Sequence, residues 1–64
     1  MELYDIIDLI NDNSILMIYN EKHDLIAMYD GKESIPDVMN YRLINDIFPD
    51  AYNGISAIGI ELSI

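Results

Sequence analysis

Sixty-four residues carry twelve acids, three bases, one histidine and no cysteine, a net charge of −9 at pH 7. That length fits one domain, residues 1–64, with a small core, and the missing cysteines exclude disulfides and thiolate zinc sites. Hydrophobic residues at 52% argue against disorder, while no apolar run exceeds five residues, as in Ile15 to Tyr19, far short of the roughly 18 residues that span a bilayer.

Residues 2–12 read as an amphipathic helix. Leu3, Ile6, Ile7 and Ile10 recur at the i, i+3, i+4, i+7 spacing of one face, and Glu2, Asp5, Asp8 and Asp12 fall opposite. Asn11 to Ser14 ends the helix in a turn. Residues 15–20 and 25–30 then read as a pair of strands joined by the polar loop Glu21-Lys22-His23-Asp24. Both are apolar on both faces, as with Ile15, Met17 and Tyr19 on one side of the first and Leu16 and Ile18 on the other. Such a strand is either central in its sheet or part of a subunit interface. One short helix cannot cover both faces of a sheet, so an oligomer, a homodimer or larger, is expected.

Asp30-Gly31 marks a sharp turn, with the glycine expected at positive φ. Ser34-Ile35-Pro36-Asp37 carries a helix-start signature in which Ser34 would cap the turn. Residues 41–48 fit either a helix, with Val38, Tyr41, Ile44 and Phe48 on one face, or a strand. One helical turn at 36–40 followed by a strand is the favoured version, because a hairpin with a single added strand makes a thin sheet. Pro49 to Gly54 reads as a loop. Ile58, Ile60, Leu62 and Ile64 alternate with Ala57, Gly59, Glu61 and Ser63 as the last strand. The expected fold class is α+β, an N-terminal helix packed on a small antiparallel sheet of three to four strands.

Little in this pattern points to catalysis. His23 stands beside Asp24 in a loop, without a motif around any serine that would make it an activating base, and reads as solvated. The stretch from Asp8 to Ser14 lacks the alternating acids and the glycine of a calcium loop, so Asp5, Asp8 and Asp12 read as a solvated face. No metal, no cofactor and no enzymatic activity is expected. Five tyrosines (Tyr4, Tyr19, Tyr29, Tyr41, Tyr52) against one phenylalanine and no tryptophan fit either an interaction surface or the rim of a small core.

The acidity is spread over the chain, with seven acids and two bases in residues 1–32 and five and one in residues 33–64. Lys22, Lys32 and Arg42 are isolated, whereas contact with a phosphate backbone needs clustered bases. The expected partner is a basic protein surface rather than nucleic acid or an anionic membrane. The same charge would also keep an isoleucine-rich chain in solution. No basic segment precedes an apolar stretch, so a signal peptide is not expected and the cytoplasm of a host cell is the expected compartment.

The stretch Tyr29-Asp30-Gly31-Lys32-Glu33-Ser34-Ile35-Pro36, with Ile60-Glu61-Leu62 near the end, resembles very short proteins carried by phages and mobile elements of Gram-positive bacteria. Anti-CRISPR inhibitors are drawn from the same kind of small acidic protein. The resemblance covers the chain from about the first strand onward and transfers no functional residue. It implies an accessory protein that acts against, or alongside, host nucleic-acid machinery. The residues expected to bind the partner are Asp5, Asp8 and Asp12 on the helix, with Asp30, Glu33 and Asp37 around the turn. The alternative expectation is a self-assembling module that acts on nucleic acid, or plays a structural part, as an oligomer.

Overall fold

Four segments of the chain become strands of one sheet. A computed structural model describes residues 1–11 and 13–64. The helix α1 (Leu3–Ile7) is followed by β1 (Ile15–Tyr19) and β2 (Leu25–Asp30). Two short 3-10 turns, Lys32–Ser34 and Asp37–Tyr41, lead to β3 (Ile44–Tyr52) and β4 (Ile55–Leu62). The strand order is β2-β1-β4-β3. The pairs β1–β2 and β3–β4 are antiparallel hairpins, but β1 and β4 run parallel. The fold is therefore α+β with a mixed sheet, which corrects the antiparallel expectation. Period-two patterning shows which face of a strand is buried and says nothing about the direction of its neighbour.

Of the two alternatives for β1, the inner position is the one seen, since it lies between β2 and β4. Its Leu16 and Ile18 are fully buried with Ile60 and Leu62 of β4. Leu3, Ile6 and Ile10 cover them from the N-terminal segment, and Ile35 covers them from the connection between β2 and β3. Each such side chain contributes about 1.5–3 kcal/mol by leaving water. The chain start is stitched to the entry of β3: Leu3 N–H donates to Arg42 O at 3.0 Å and Ile44 N–H to Met1 O at 2.7 Å. That anchorage holds a helix of only five residues, far shorter than the eleven its pattern covers, and lengths of this kind are marginal alone. Asp12 lies outside the described residues.

Two further expectations are corrected. Ser34 does not cap the second 3-10 turn. Its hydroxyl donates back to Gly31 O at 2.8 Å, and Pro36 holds the cap position. Residues 49–52 are strand rather than loop, because β3 is an edge strand and tolerates Pro49. The turn reduces to Asn53 and Gly54, both at positive φ (50° and 78°), the backbone of a two-residue type I′ hairpin. Gly31 takes the expected positive φ, at 85°.

Candidate functional surface

The face of the sheet turned away from α1 carries most of the polar organisation. Register places Met28, Met17, Gly59 and Phe48 in one row across the four strands. Gly59 is what lets this row close. A Cβ built there would overlap the Phe48 ring, so the ring occupies the space a side chain would fill. Phe48 lies 5.4 Å from the Tyr19 ring and 5.3 Å from His23, and His23 stacks on Tyr19 at 4.8 Å with 13° between planes.

Asn20 shapes the loop that brings His23 there. Its side-chain oxygen accepts from Lys22 N–H at 3.0 Å and Asp24 N–H at 2.9 Å, while its carbonyl accepts from His23 N–H. His23 itself sits at a φ of 65°, a left-handed conformation that a histidine adopts more readily than most residues. His23 is thus not simply solvated as expected: it remains exposed yet is held by two rings and by Glu61, whose Oε1 lies 3.3 Å from its Nδ1.

Two carboxylates complete the cluster. The Tyr19 hydroxyl donates to Asp50 Oδ2 at 2.6 Å. That bond, helped by burial and by the carboxylate's charge, raises the Tyr19 pKa. The same bond is the main reason the Asp50 pKa is lowered, followed by the Ala51 N–H donating to the other oxygen. The arrangement makes aromatic faces bordered by acids, a chemistry that suits guanidinium and ammonium groups. Among the described residues no cavity forms, and no group of three or more His, Asp or Glu side chains is placed to hold a metal ion.

The acids singled out in the sequence do not converge. Asp5 and Asp8 are exposed at α1, and Asp37 opens the second 3-10 turn, which packs beside α1. Glu33 lies in the first turn, and Asp30 stands on the opposite face of the sheet beside Ile15. Asp5 has a structural task as well, since its Oδ2 accepts from Glu2 N–H at 2.8 Å. The sequence reading missed Phe48, Gly59, Asp46, Asp50 and Glu61. A glycine inside an apolar strand was the available signal, because it marks a close approach.

The outer edge of β3 has been stripped of hydrogen-bond donors. The two-residue turn pairs Tyr52 with Ile55, so the amides of alternate residues 47, 49 and 51 point away from β4. Ile47 N–H donates to Asp46 Oδ1 at 2.9 Å, Ala51 N–H to Asp50 Oδ1 at 2.8 Å, and Pro49 has no N–H. An edge that offers acceptors but no donors is a poor template for another strand, one way in which sheet proteins avoid edge-to-edge association.

Comparison with protein-family models, with curated proteins and with solved structures finds no match for this chain. No helix among the described residues is long and apolar enough to cross a membrane.

Proposed function

We propose that this protein is a non-enzymatic, acidic inhibitor that occupies the basic groove of a nucleic-acid-binding host protein in the cytoplasm, an anti-CRISPR activity with a CRISPR effector as the first candidate. The observation that carries the proposal is the distribution of charge. Exposed carboxylates stand beside α1 at Asp5, Asp8 and Asp37, in the first 3-10 turn at Glu33, and on the sheet face turned away from α1 at Asp30 and Asp46. Such a surface draws arginine-lined grooves of the kind that hold DNA or read a PAM. Asp5, Asp8, Asp12, Asp30, Glu33 and Asp37 remain the proposed contacts, joined by Asp46 and Glu61.

A second reading, self-assembly, rests on the exposed apolar side chains Leu25, Ile26, Met28 and Ile55. Size-exclusion chromatography separates the two. An inhibitor co-elutes with the effector and ignores duplex DNA, whereas an assembling module that acts on nucleic acid co-elutes with DNA.

A further inference from the structure

The two edges of the sheet are treated oppositely. Every outward amide of β3 from residue 47 to 51 is blocked or absent, as described above. On β2, Gly31 N–H donates to Ser14 O at 3.0 Å. Alternation along the antiparallel ladder then turns the main-chain groups of Tyr29 and Ala27 toward β1, and those of Met28 and Asp30 outward. No side chain caps these two amides among the described residues, and neither proline nor lysine guards the strand. Its side chains are apolar and exposed at Leu25, Ile26 and Met28, with acids at each end in Asp24 and Asp30.

From this asymmetry we infer that the β2 edge is a docking edge, and that its occupant is an extended segment of a basic protein in which lysine or arginine alternates with apolar residues. This deepens, and rests on, the reading of the protein as a binder of basic partners. Main-chain bonds at Met28 and Asp30 supply the affinity of an added strand, and alternate side chains supply its specificity. Charge selects the occupant. A second copy would bring another chain of net charge −9 to an edge flanked by acids, whereas a basic segment meets Asp24 and Asp30 with opposite charge. In an alternating segment the basic residues share the face of Met28 and Asp30, and the apolar residues fall on the other face, beside Ala27 and Tyr29.

The test uses the full chain and a capped peptide of alternating lysine and valine, about as long as β2. A second peptide carries the same charges but is N-methylated on the edge that would pair. The expected result is binding that slows hydrogen exchange at the Met28 and Asp30 amides. Binding should weaken by about tenfold or more for the N-methylated peptide and for Met28→Pro. That proline removes an outward amide and the Met28 side chain but no bond to β1, so circular dichroism should report an unchanged fold, and the N-methylated peptide isolates the amide. The N-methylated peptide gives the same answer without touching the protein, should the variant not fold. Equal binding of both peptides, or protection elsewhere, overturns the docking edge and leaves the basic-partner reading standing. No binding of either peptide at low ionic strength overturns both. A dimeric mass with the Met28 and Asp30 amides already protected in the free protein also overturns it, by giving the edge to a second copy.

Discussion

The Tyr19 hydroxyl reaches Asp50 Oδ2 at 2.6 Å and ties β1 to β3, two strands that β4 separates. Register sets Tyr19 beside Glu61 and Asp50 beside Ala57, and the residue between those two on the same face is Gly59. The bond therefore passes over the strip of β4 that has no side chain. One glycine permits both the Phe48 packing and this cross-sheet tie.

That tie gives stability a pH dependence with two flanks. The folded-state pKa of Asp50 is lowered, so its contribution is present above the ordinary carboxylate value near 4 and is lost as pH falls through the depressed value. The Tyr19 pKa is raised, so its contribution is present below the ordinary value near 10 and is lost as pH rises through the raised one. The difference in Tm between the native chain and Tyr19→Phe should be largest between those limits and shrink on both sides. Thermal melts of the two proteins across pH check this. A constant difference would mean that the variant acts through packing alone.

Gly59→Ala should destabilise the protein by about 1–3 kcal/mol, since the new methyl group must push the Phe48 ring off the sheet. Once the ring is gone the methyl group has room. In a Phe48→Ala background the same change should therefore cost much less, a coupling of about 0.5–3 kcal/mol. Urea unfolding of the four proteins measures it, and additive costs would contradict the close contact.

The helical face and the left-handed Gly31 were legible in residue order, and the two apolar faces of β1 left an inner place as one of two alternatives. They rest on periodicity and on local backbone chemistry, which a single chain segment contains. The parallel β1–β4 pairing was not legible, because direction is set by how two hairpins meet. Pro49 misled for a related reason. It stops a central strand but not an edge one, and position in the sheet is a property of the whole fold. The Asn53-Gly54 pair was the local signal that should have outweighed it. Of the surface cluster, only His23 and Tyr19 were visible as candidates. Phe48, Asp50 and Glu61 reach it from strands 25 or more residues away in the chain.

Gly54 offers a clean measure of backbone strain. It has a φ of 78°, and a Cβ there would meet nothing within 4 Å. Gly54→Ala should therefore cost about 1 kcal/mol through conformation alone. A chemically synthesised chain with D-alanine at this position should show no loss, and an equal loss for both enantiomers would contradict the strain account.

Removing the guards of the β3 edge should make the protein associate. Asp46→Ala with Asp50→Ala frees the outward amides of Ile47 and Ala51, and adding Pro49→Val restores a third donor. Sedimentation velocity should show mass rising with concentration for the triple variant beyond that of the native chain. An unchanged distribution would mean that the carboxylates are not what protects this edge.

The central claim, competition for a basic DNA-binding groove, is tested most directly by displacement. A fluorescent DNA duplex bound to a CRISPR effector is titrated with the protein, and anisotropy follows release. The account predicts full release, weakening as salt rises. It also predicts that the variant carrying Asn at Asp5, Asp8, Asp30 and Asp37 and Gln at Glu33 releases DNA only at much higher concentration, mainly through slower association. DNA that stays bound at saturating protein, or release by the neutralised variant as efficient as by the native chain, would contradict it.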